Sequence, residues 1–80
     1  MSEYSVDLIW DPEAAVWVAT SEDDDIVTLA LESGSADALI ERVKYIIPEL
    51  LELNGIKPKP FIVRFNSQRR DQVRVNSSPN

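Results

Sequence analysis

The 80-residue sequence predicts an α+β domain, an antiparallel sheet of three to five strands carrying one long proline-kinked helix on one face in the order β-β-β-α-β. Three observations lead there. Period-two alternation at the N-terminus marks strands, a single apolar stripe of helical period fills residues 36–53, and a second alternating run follows at 61–65. The length allows one core, and the composition, 44% hydrophobic with 8% aromatic, is that of a globular chain.

Tyr4, Val6, Leu8 and Trp10 alternate with Ser5, Asp7 and Ile9, the pattern of a strand with one buried face. Asp11-Pro12-Glu13 supplies turn chemistry, because proline fixes φ and has no N–H to give a ladder. A β-rich run over 14–20 completes an antiparallel hairpin. Ala15, Trp17 and Ala19 share one of its faces and Val16 and Val18 the other, which predicts a central strand. Ser21-Glu22-Asp23-Asp24-Asp25 has no apolar residue and repels itself in a strand, so it reads as an exposed acidic loop.

Residues 26–31 resume the alternation and predict a third strand. Ser33-Gly34-Ser35 ends it, with Ser35 placed to cap a helix whose first turn holds Asp37. In that helix Leu39, Ile40, Val43, Ile46, Ile47, Leu50 and Leu51 recur at helical spacing opposite Glu41, Arg42, Lys44, Glu49 and Glu52. Pro48 interrupts the pattern and predicts a bend over 44–48, and Asn54-Gly55 is a left-handed stop. Ile56-Lys57-Pro58-Lys59-Pro60 is an extended connection back to the sheet. Phe61, Val63 and Phe65 then mark a fourth strand. Residues 72–75 either add a short fifth strand or trail, and the polar residues 76–80 are expected to be disordered. The expected division is one domain over 1–66 and a basic, polar tail over 67–80.

Charge divides the chain. Residues 1–55 hold thirteen acids against Arg42 and Lys44, a net of −11, and residues 56–80 hold six bases against Asp71, a net of +5; together these give −6. The acidic body repels phosphate and attracts a basic protein. Its bland alternative is plain solubility.

The chain has no histidine and no cysteine, so Ser/His/Asp and Cys/His machinery is excluded, and Gly34 and Gly55 are too few for a phosphate loop. Asp7, Asp11, Glu13 and the loop acids are the remaining candidates for a metal-dependent nuclease, but nothing in their spacing makes them converge. The loop also lacks the ligand spacing and turn glycine of a calcium site. The expectation is a binding protein and not an enzyme, with no metal and no cofactor. Glu22, Asp23, Asp24, Asp25, Asp11 and Trp17 are the candidate partner-binding residues. Arg69, Arg70 and Arg74 are weaker candidates for nucleic-acid contact, set against pairing with the acidic body or simple solvation. No apolar run is long enough for a spanning helix and the first residues lack the segments of a signal peptide, so a cytoplasmic protein without membrane contact is expected.

Trp10-Asp11-Pro12-Glu13-Ala14, Val16-Trp17-Val18-Ala19-Thr20-Ser21, Asp37-Ala38-Leu39-Ile40-Glu41-Arg42-Val43 and Ile47-Pro48-Glu49-Leu50-Leu51-Glu52-Leu53-Asn54-Gly55 together resemble the short HicB-like antitoxins, in particular a compact subgroup described as a domain of unknown function. The resemblance covers most of residues 4–55. It implies a degenerate ribonuclease H-like fold without the nuclease's catalytic acids, and a partner: a HicA-type toxin, a small basic ribonuclease that the antitoxin binds and blocks. The alternative is an orphan interaction module of the same fold with no toxin partner. Two departures bear on this. Only about 25 residues follow Gly55, which leaves no room for the DNA-binding domain that HicB proteins commonly append, so direct DNA binding and promoter control are not expected. The Pro-Gly pair that often opens the third strand is replaced by Asp25-Ile26. A homodimer that covers Trp17 or Ile9 on an open sheet face is a further expectation.

Overall fold

The computed structural model describes residues 1–57 and 59–76. They form strands β1 (Ser2–Asp11), β2 (Val16–Thr20) and β3 (Leu31–Ser33), helix α1 (Ala36–Leu53) and strand β4 (Phe61–Gln68), with a single 3-10 turn at Asp24–Ile26. The sheet order is β3-β2-β1-β4. This is the α+β architecture expected, with the one helix on one face of a four-stranded sheet, but the all-antiparallel pairing expected of that sheet does not hold. The sheet is mixed. β1 pairs antiparallel with β2 and β2 antiparallel with β3, whereas β4 runs parallel to β1. The helix carries the chain back across the sheet after β3, so β4 enters in the direction of β3 and therefore of β1.

Register fixes which side chains face the helix. Leu8 pairs with Ala19 and Trp10 with Trp17, and Tyr4 and Val6 pair with Val63 and Phe65. The helix answers with Leu39, Val43, Ile47 and Leu51, four apart and buried, which close the core with Tyr4, Val6, Leu8 and Ala19. Ile40, Ile46 and Leu50 flank that stripe and are half-buried.

Both helix ends follow the expected chemistry. Ser35 Oγ accepts the Ala38 N–H at 3.2 Å. At the other end Gly55, at φ +74°, donates to Glu52 and Ile56 donates to Leu51, the paired bonds of a Schellman stop. Pro48 lies inside the helix without ending it, so the Lys44 carbonyl lacks its usual donor.

The hairpin loop is longer than the alternation suggests. Asp11 faces Val16 across it, and Ala15 adopts φ +54°, so residues 14–15 belong to the turn and not to β2. The third strand is displaced further. Residues 26–30 are not a strand; the 3-10 turn and a following turn occupy 24–28, and β3 begins only at Leu31. Ile26 donates to the Asp23 carbonyl and Leu29 to the Ile26 carbonyl, at 3.0 and 2.9 Å. Three-residue turns place Ile26 and Leu29 on the same side, and both are buried under the helix, while Val27 is 55% exposed. Residues 69–76 form no strand, so 72–75 trail from the sheet. Residues 77–80, expected to be disordered, lie outside the described residues.

Candidate partner-binding surface

The acidic loop begins with a structural lock. β2 pairing stops at Thr20 opposite Asp7, which leaves Ser5 of β1 without a ladder partner on that side. Side chains take its place. The Ser21 hydroxyl donates to the Ser5 carbonyl at 2.6 Å, and the Asp23 carboxylate accepts the Ser5 N–H at 2.6 Å. Ser21 Oγ in turn accepts the Asp23 N–H at 3.1 Å. Ser21 is buried, and among the described residues no buried side-chain polar atom lacks a partner, so Asp23, expected to be an exposed contact residue, is mainly a backbone clamp.

With Asp23 fixed, Asp24 and Asp25 are presented around an open polar cleft of about 500 Å³ that they line with Asp23, Ser2, Glu3 and Tyr4. Glu22 and Asp24 are exposed and Asp25 is half-buried. Asn54 Nδ2 donates to the Asp25 carbonyl at 2.6 Å, tying the helix C-terminus to the same corner. Burial, and after it the Asp25 and Asp23 carboxylates, pushes the Tyr4 phenol above its ordinary value. Among the described residues the ion pairs are Lys44–Glu41, Arg64–Glu3 and Arg69–Asp71, so Glu22 and Asp24, which face solvent, and the half-buried Asp25 beside the Tyr4 phenol are not ion-paired to a base of this chain. Glu3 and Tyr4 are additions to the site that the linear sequence hides, because strand pairing alone brings β1 beside the loop.

Asp11 and Trp17 lie elsewhere. Asp11 Oδ1 accepts the Glu13 and Ala14 N–H groups at 3.0 and 3.3 Å and so holds the hairpin turn. From Ser5 to Asp11 the strand spans about 20 Å, which separates this end from the acidic cleft. Trp17 packs edge-to-face on Trp10 with ring centroids 5.5 Å apart. It shares the helix side of the sheet with Leu8 and Ala19, whereas Ile9 lies on the opposite, open side; the two cannot form the single open patch expected of them.

The basic candidates separate in the same way. Arg69 continues β4 past Gln68 and places its guanidinium 4.2 Å from the Trp10 ring centre and 5.8 Å from that of Trp17. Its Nε donates to Asp71 at 2.9 Å. Arg70 and Arg74 are exposed along the trailing segment. Asp7 lies on the open side of the sheet beside Thr20 and Asn66, and among the described residues no group of three acids converges as a metal cage would require.

The family described as domain of unknown function (DUF1902) matches residues 3–77. Among solved structures, the chain is similar to hypothetical protein TTHA1013 from the extremely thermophilic bacterium Thermus thermophilus, with 36% identity and a TM-score of 0.72 over 89% of this chain and 99% of that one. No curated protein matches it. No helix among the described residues is long and apolar enough to cross a membrane.

Proposed function

Since the chain belongs to the DUF1902 family, we propose that it is an antitoxin-like protein of HicB type that binds and neutralises a small basic RNA-cleaving toxin of HicA type. What carries this reading is the rigid acidic corner. Glu22, Asp24 and Asp25 stand together, not ion-paired to a base of the same chain among the described residues, and the Ser5–Ser21–Asp23 bonds hold them in place before any partner arrives. A ribonuclease must present cations to phosphate, and such a surface is drawn to a fixed set of carboxylates that excludes RNA from it. Pre-ordering lowers the entropic cost of that contact.

The test is co-expression with a small basic ribonuclease of HicA type encoded beside this chain. Growth recovers and RNA cleavage by the purified pair stops. Glu22→Lys combined with Asp24→Lys, both at exposed positions outside the corner's bonds, slows association by about tenfold or more, as expected when steering charges are reversed. Toxicity that persists unchanged with the unaltered chain present refutes the reading.

A further inference from the structure

β4 leaves a free edge on the sheet, and the segment that follows it leaves two valines exposed. β4 is an edge strand of eight residues with no proline in it, and its outer N–H and C=O groups have no partner strand. Its helix side is also incompletely covered. Phe61, Val63 and Phe65 are only half-buried and line an apolar cleft of about 320 Å³ with Lys44. A neighbouring cleft of the same size continues it past Phe61 to Pro48 and Leu51.

The segment after β4 has the opposite deficiency. Gln72, Val73, Arg74 and Val75 alternate as a strand does, yet Val73 is 82% and Val75 85% exposed and no strand forms. The chain measures 67 × 22 × 19 Å, and its radius of gyration of 16.6 Å exceeds the about 12 Å expected of a compact chain this long. The segment continues from that strand without a turn and so does not lie beside its own β4. That position is open to a second copy.

We propose that the chain forms a two-fold homodimer in which β4 and the following segment of one copy pair antiparallel with the same stretch of the other, so that Val73 and Val75 enter the partner's β4–α1 cleft. The register follows from the side-chain period. In antiparallel pairing opposed residues share a face, so Val73 and Val75 must meet odd-numbered residues of β4 to reach the helix side, where Phe61, Val63 and Phe65 point. Setting Val73 opposite Val63 places Val75 opposite Phe61. It also brings Asp71 opposite Phe65, into the cleft that Lys44 lines. Two-fold symmetry then repeats each contact, removes both free edges and buries four exposed valines. Charge favours the same exchange, because residues 69–75 carry Arg69, Arg70 and Arg74 against Asp71 and meet a body of net −11.

Light scattering on the full chain is expected to give twice the 9.0 kDa chain mass. Val73→Asp combined with Val75→Asp halves that mass while the circular dichroism of the body is retained, since both side chains are exposed in the single chain. The chain has no cysteine, so a variant carrying Val63→Cys and Val73→Cys together is expected to oxidise to a covalent dimer, and either substitution alone is not. A monomer mass at the highest attainable concentration overturns the proposal, because the segment is then solvated or reserved for another protein. A dimer that survives the double aspartate variant also overturns it, by placing the interface elsewhere, and an intact dimer that fails to cross-link overturns the register.

Discussion

Tyr4 links the core to the acidic corner. It is 9% exposed, packs edge-to-face on Phe61 at 5.7 Å, and its phenol is held above the ordinary value of 10.0 by burial first and by the Asp25 and Asp23 carboxylates after it. The folded chain keeps the proton where the unfolded chain gives it up, so this contribution is complete below about pH 10 and is lost as pH rises toward the folded value. The urea midpoint is therefore expected to fall between about pH 9 and about pH 11, and Tyr4→Phe flattens that fall. An equal fall in the variant places the alkaline sensitivity in another group. Ala15 makes a separate case, since a residue with a Cβ at φ +54° bears a left-handed penalty of about 1–2 kcal/mol. After the extra backbone entropy of glycine, Ala15→Gly is expected to gain about 0.5–1 kcal/mol in chemical unfolding; a loss would show that the alanine methyl packs more usefully than its exposure suggests.

Helix α1 is the most legible element because its signals agree: a capping serine, a stripe of helical period and an Asn-Gly stop all specify one segment, which is the segment that forms. Within the stripe the structure discriminates between neighbours that the sequence treats alike. Ile47 is fully buried and Ile46 only half-buried. Ile47→Ala is expected to cost about 2–5 kcal/mol, and Ile46→Ala less than half as much, measured by urea denaturation. Equal costs would mean that the helix is rotated on the sheet. The third strand departs from its expected span for a physical reason. A strand would place Leu29 with Val27 on one face and Ile26 on the other, so it cannot bury Ile26 and Leu29 together; their three-residue separation suits a 3-10 turn, which the Asp23 carbonyl begins. Of the candidate site, the clustering of Glu22, Asp24 and Asp25 is visible in the chain. The clamp role of Asp23, the presence of Tyr4 and Glu3, and the distance of Asp11 and Trp17 all depend on strand pairing, which adjacent residues do not encode.

At the scale of the whole molecule, charge acts against the fold that carries it. Residues 1–55 hold a net of −11 on a body about 20 Å across. At about 0.01 M ionic strength the screening length is about 30 Å, so every acid feels every other, and at about 0.15 M it shrinks to about 8 Å. The attractive pairs that salt also screens, Lys44–Glu41, Arg64–Glu3 and Arg69–Asp71, are exposed and worth little. Repulsion is thus the larger quantity to be removed, and the melting temperature is expected to rise between these two salt concentrations at fixed chain concentration, which must be held because association also shifts it. Glu49→Lys with Glu52→Lys, both exposed on the outer side of α1, should raise the melting temperature at low salt and reduce its salt dependence. A melting temperature that falls with added salt would mean that the three ion pairs, and not the crowded carboxylates, dominate the electrostatics of the fold. The acidic corner would then be an ordinary solvated loop, and its claim on a basic partner would lose its physical ground.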